Sequence, residues 1–78
     1  MKVTPIGLNQ TEVSLKNGTV VLFSYGTPVA ALYEGNYFKT SYKWSKTTSA
    51  HINHWLVLKC ARAEKIAQEF FTELTMNI

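Results

Sequence analysis

The apolar positions of this chain keep two different periods. Between about residue 11 and residue 44 they come as alternating or short continuous runs, broken by pairs of turn-forming residues. From Ser45 onward they recur every three or four residues, through Ile52, Trp55, Leu56, Cys60, Ala63, Ile66 or Ala67, Phe70 and Leu74. The first pattern predicts strands and the second predicts helix. Asn17-Gly18 between two apolar runs is a strong hairpin signal, because both residues tolerate positive φ. A two-residue loop there pairs Leu15 with Val20 and Val13 with Leu22, setting four aliphatic side chains on one face. Gly35-Asn36 is a second candidate turn, pairing Tyr33 with Phe38 and Val29 with Tyr42 on one face, with Leu32 and Lys39 on the other. Gly26-Thr27-Pro28 predicts a bend, since Pro28 cannot donate to a central ladder. The expectation is an antiparallel meander of three or four strands.

The change of period falls at a run of hydroxyls. Ser45, Thr47, Thr48 and Ser49 are all competent helix N-caps, because a short side-chain oxygen accepts the first free backbone N–H groups. With no Gly or Pro after Gly35, one continuous helix is open. A break near Cys60–Arg62 into two helices is preferred, because a single helix would overhang so small a sheet. Glu64 near the start of the second segment suits the positive end of a helix dipole. The fold expected is a single α+β domain over residues 1–78, in two layers, with strands within about 11–44 and a helical region at about 48–76.

Composition narrows the class. The chain has 78 residues, room for one core only, and its 46% hydrophobic content favours a folded globule over disorder. The longest apolar runs, Val20–Phe23 and Trp55–Leu58, are too short for a membrane span, and a lone Cys60 suits a reducing compartment. A cytoplasmic protein is expected. Charge changes the picture more. Residues 35–62 carry Lys39, Lys43, Lys46, Lys59 and Arg62 with no acid, whereas the flanking segments are neutral or acidic. Such a block points to an acidic partner, either nucleic acid or an acidic protein surface.

The residue inventory argues against catalysis. There is no Asp to orient a histidine, and the four glycines are isolated, so neither a hydrolytic triad nor a phosphate-cradling loop is expected. His51 and His54 share one helix face at a spacing of three, which tempts a zinc assignment. Zinc wants four ligands, and Cys60 stands about 240° further round a continuous helix than His54. No metal and no cofactor are expected. Nucleic-acid binding fits better. Lys39 and Lys43 alternate around Ser41 on the last strand, and Lys46, Thr47, Thr48 and Ser49 offer a cation, hydroxyls and N–H groups at a helix start. Tyr37, Tyr42 or Trp44 can stack on a base. His51 and His54 add groups that charge near neutral pH.

Three segments, Ser24–Ala31 (SYGTPVAA), Tyr37–Leu56 (YFKTSYKWSKTTSAHINHWL) and Ala67–Phe71 (AQEFF), carry a resemblance to an uncharacterised family of small bacteriophage and mobile-element proteins. That resemblance implies a viral or mobile-element origin and expression inside a bacterial host cell. It implies no activity. The expectation is a non-enzymatic accessory protein whose basic strand-to-helix junction, with Lys39, Lys43, Trp44, Lys46, Thr47, Thr48, His51 and His54, binds nucleic acid. The alternative is a module that inhibits or modulates a host enzyme or defence complex. A homodimer through a sheet edge is a further possibility.

Overall fold

The computed structural model describes residues 1–76 and is an α+β protein. Six strands run β1 (Lys2–Gly7), β2 (Gln10–Ser14), β3 (Val20–Ser24), β4 (Thr27–Tyr33), β5 (Asn36–Thr40) and β6 (Ala63–Ile66). Helix α1 (Lys46–Leu58) connects β5 to β6, and α2 (Gln68–Thr75) follows β6. The strands lie in sequence order in one sheet. The first five form the antiparallel meander, and β6 joins β5 in parallel, as a strand reached through a helical crossover can.

Two strands lie outside the range 11–44 expected for them. β1 extends the meander at its start, and β6 divides the C-terminal helical region. The break falls at Cys60, within the expected window. Ala61 N–H donates to Leu56 O (3.0 Å) and Cys60 N–H to Val57 O (3.0 Å), while Cys60 takes φ +52. That is a Schellman termination, with cysteine at the left-handed position that glycine usually fills.

Hairpin registers depart from expectation for a reason visible in the loops. Leu15 N–H donates to Thr19 O (2.8 Å), making Lys16-Asn17-Gly18 a three-residue loop that closes on Gly18 at φ +87. The longer loop moves the register by one, so Val13 faces Val21 and Glu12 faces Leu22. A shift of one exchanges faces, and Glu12 and Leu22 therefore share a side opposite to Val13 and Val21. The turn between β4 and β5 is Glu34-Gly35 rather than Gly35-Asn36, with φ of 50 and 80. Its register moves by two, to Leu32 with Tyr37 and Ala31 with Phe38, which keeps Tyr33 and Phe38 on a common face. Tyr42 lies beyond the end of β5 and faces no strand partner. The bend expected at Gly26-Thr27-Pro28 falls at Tyr25-Gly26, with φ of 52 and 80, and Pro28 sits within β4, opposite Phe23, where the ladder slips by one residue.

The helices cover opposite faces of the sheet, giving three layers where two were expected. On one face Ile52, Trp55 and Leu56 of α1 pack with Leu22, Val29 and Ala30, edged by Val20, Tyr37 and Ala63. On the other, Phe71 of α2 packs with Val21 and Ala31, edged by Phe23, Phe38, Ile66, Phe70 and Leu74. The central strands are consequently apolar at successive positions. Trp55 and Phe71 are fully buried, one anchoring each layer.

Candidate functional site

β5 ends where Thr40 Oγ1 accepts a hydrogen bond from Tyr42 N–H (3.1 Å), turning the chain out of the sheet. α1 begins where Ser45, in extended backbone, accepts Thr48 N–H on its side-chain oxygen (3.1 Å). Between these two points lies the loop 41–45, tied to β6 at its start by Ser41 N–H, which donates to Ile66 O (2.9 Å). A cleft of about 260 Å³ opens there, lined by Lys39, Thr40, Ser41, Tyr42, Lys43, Ser49, Ile52, Asn53 and Lys65.

Three of those side chains are lysines, and none of the lining groups is acidic. Lys39 and Lys65 are direct register partners across β5 and β6. They lie on the face that α1 covers, since Tyr37 and Ala63, two positions back on each strand, pack beneath that helix. Neighbouring strands are about 4.8 Å apart, so the two side chains start from adjacent points. Like charges set directly opposite each other oppose folding, and an anion between them removes that cost. None of the three lysines pairs with a carboxylate among the described residues. A larger groove of about 650 Å³ continues from the cleft, sharing Lys39 and Asn53 and adding Arg62 near the end of α1.

The residues expected at the junction separate into three groups. Lys39 and Lys43 meet in the cleft, although Lys43 arrives on the loop rather than on the strand. Lys46, Thr47 and His54 are exposed on α1 and do not line it. Thr48 and His51 are engaged within the fold, as is the indole N–H of Trp44, whose ring stays exposed. Ser24 Oγ lies 2.8 Å from His51 Nδ1 and 3.1 Å from Thr48 Oγ1, in a buried cluster against which Tyr25 stacks. Trp44 Nε1–H donates to Gln68 Oε1 (3.1 Å), and Gln68 Nε2 donates to Pro28 O (2.7 Å). These bonds join Ser24–Ala31, Tyr37–Leu56 and Ala67–Phe71, the three segments that carried the resemblance.

The helix start is also less free than its hydroxyls suggested. Ser45 already takes Thr48 N–H, and the cleft meets the flank of α1 at Ser49, Ile52 and Asn53 rather than its first turn. His51 and His54 do not converge, one buried against Ser24 and the other exposed, and the described residues hold no cluster of three or more metal-ligating side chains. Sequence reasoning missed Lys65, Ser41 and Asn53, and it read Ser49 as part of the helix start and Arg62 only as part of the basic block. Lys65 had been placed on a helix, where nothing connects it to Lys39.

One lysine of the basic block is withdrawn from the surface field. Lys59 Nζ sits 2.8 Å from Glu12 Oε1, which also accepts Trp55 Nε1–H at 2.9 Å. Burial pushes the Glu12 carboxyl up, but the hydrogen bonds from Lys59 and Trp55 and the charges of Lys59 and Lys2 outweigh it, holding the group below the ordinary 4.5. This pair ties the end of α1 to β2.

A family of unknown function (DUF8033) matches the chain over residues 1–73. The chain belongs to that family. No curated protein and no solved structure matches it. Among the described residues, no helix is long and apolar enough to cross a membrane.

Proposed function

We propose that this DUF8033 protein is a non-catalytic accessory module that binds nucleic acid through the cleft between β5, β6 and α1. The observation that carries this reading is the side-by-side placement of Lys39 and Lys65, joined by Lys43, in a cleft without a carboxylate. Phosphate contacts of this kind supply affinity without reading sequence. The resemblance to bacteriophage and mobile-element proteins supports a viral or mobile-element origin and action inside a bacterial host cell.

Fluorescence anisotropy with labelled DNA and RNA at several salt concentrations tests the proposal. Binding should weaken linearly in log–log form with salt, and changing Lys39, Lys43 and Lys65 together to Ala should flatten the slope. An unchanged affinity in that triple variant overturns it. A second reading rests on Val57 and Leu58, which are 73% and 59% exposed near the groove. An exposed apolar pair suits a host-protein contact, with the protein acting as an inhibitor or modulator. Capture of one stoichiometric protein from nuclease-treated bacterial lysate, lost on changing Val57 and Leu58 to Ser, favours that reading instead.

A further inference from the structure

Resting on the nucleic-acid reading, we infer that the cleft takes a single strand, with its phosphates on Lys39, Lys43 and Lys65 and a base stacked on the Tyr42–Trp44 pair. Three features of the molecule converge on this class of ligand.

The first is the spacing of the cations. Lys39 and Lys65 spring from adjacent register positions, and with Lys43 they surround one space of about 260 Å³. Cations so concentrated serve one backbone. A duplex presents its phosphates along both edges of a major groove about 12 Å wide.

The second is the helix beside the cleft. Duplex readers commonly lay a polar, basic helix into the major groove. The exposed positions of α1 include Lys46, Ala50, Asn53, His54, Val57 and Leu58, and Lys59 just beyond its end is held by Glu12. That surface has a single unpaired lysine at one end and an apolar pair at the other. It is a poor match to a groove lined with phosphates.

The third is the aromatic pair. Tyr42 and Trp44 are 57% and 45% exposed, with ring centroids 4.6 Å apart, and Tyr42 itself lines the cleft on the residue before Lys43. Trp44 Nε1–H donates to Gln68, which is itself bonded to Pro28 O, so the indole is tethered to the fold. The two rings are tilted 54° to each other, and an unpaired base can stack on an exposed face of either, beside the basic cleft that Tyr42 lines. Bases inside a duplex are already stacked on their neighbours and cannot use it.

The two tryptophans make the test direct. Trp55 is fully buried and Trp44 is exposed, so quenching of intrinsic fluorescence by an added ligand reports on Trp44. Titration with a short oligothymidylate, an oligouridylate and a duplex of equal length should show quenching by one or both single strands. Affinity for the bound strand should be at least tenfold tighter than for the duplex. Tyr42→Ala, whose ring contacts Trp44 at the surface, should weaken single-strand binding about 5- to 100-fold while leaving the salt slope unchanged. Trp44→Phe keeps an aromatic face, loses the quenching, and should retain most of the affinity. Circular dichroism of both variants checks that the fold is kept. Salt-dependent binding that is equal for single strand and duplex, with no quenching and no effect of Tyr42→Ala, overturns the single-strand inference and leaves the nucleic-acid reading standing. Absence of binding to every nucleic acid overturns both.

Discussion

Ser24 and His51, 27 residues apart in the chain, meet at 2.8 Å between Oγ and Nδ1 in a buried site that Thr48 completes. The contact closes the end of the β3–β4 hairpin onto the first turns of α1, and it gives a histidine that looked available for a ligand a structural occupation. Ser24 is 2% exposed, so removing its hydroxyl strands the imidazole nitrogen and the Thr48 hydroxyl away from water. Ser24→Ala should cost about 1–3 kcal/mol of stability, measured by urea unfolding. Nucleic-acid affinity should be unchanged at temperatures where the variant is folded, because Ser24 does not line the cleft.

Glu12 supplies the fold's clearest acid-sensitive element. Its carboxyl is held below 4.5 in the folded protein by Lys59 and Trp55, so near and below that pH the unfolded chain binds the proton more readily. The resulting stability is fully present above pH 4.5 and is lost as pH falls through the folded value. Glu12→Gln keeps an oxygen for Trp55 Nε1–H and discards the charge. Thermal melts across acidic buffers should show the wild-type protein falling in midpoint below pH 4.5 and Glu12→Gln showing a shallower fall. At neutral pH the variant should be about 1 kcal/mol less stable. A variant with the same acid slope as wild type would mean that other carboxylates carry the effect.

The period of the apolar residues was enough to find the meander and the helix at Trp55, because those depend on local patterning. The break near Cys60–Arg62 rests instead on the length a single helix would have beside so small a sheet. Register was harder. Asn17-Gly18 marks a turn correctly, yet whether Lys16 belongs to the loop is settled by the closing Leu15–Thr19 bond, and one residue there moves Glu12 from one face to the other. β6 was hidden because Ala63-Glu64-Lys65-Ile66 favours helix by composition and becomes a strand only by pairing with β5. The cleft was half legible for the same reason. Lys39 and Lys43 belong to the acid-free block, whereas Lys65 joins them through a parallel pairing that leaves no local trace. One signal was present and unused: Val20–Phe23 and Val29–Leu32 are apolar at every position, as strands covered on both faces must be, and they announce the second helical layer.

Cys60 offers a stabilising change. It holds φ +52 at the end of α1, a conformation in which a Cβ meets the following carbonyl, while its side chain is exposed. Cys60→Gly removes the steric cost and retains both terminating hydrogen bonds, at the expense of a more flexible unfolded chain. The net expectation is a gain of about 0.5–1 kcal/mol, read as a higher denaturation midpoint at unchanged m-value. Cys60→Val, β-branched and therefore disfavoured at positive φ, should move the midpoint the other way.

Lys59 and Lys65 stand six positions apart, one inside the acid-free block and one just beyond it, and the fold gives them opposite tasks. Lys59 is committed to Glu12 at 2.8 Å, whereas Lys65 points its charge into the cleft beside Lys39. Lys59→Ala leaves a half-buried carboxylate with only Trp55 for a partner, and should lower stability by about 1 kcal/mol with little change in nucleic-acid affinity. Lys65→Ala removes one of two adjacent like charges. It should leave stability unchanged or slightly raised, weaken binding, and reduce the magnitude of the salt slope by about 0.7–0.9. Paired measurements on the two variants, urea unfolding and anisotropy against salt, separate a lysine that holds the fold from one that holds the ligand. Equal losses of affinity in both variants would show that the basic block acts only through net charge, and that the cleft has no special part in binding.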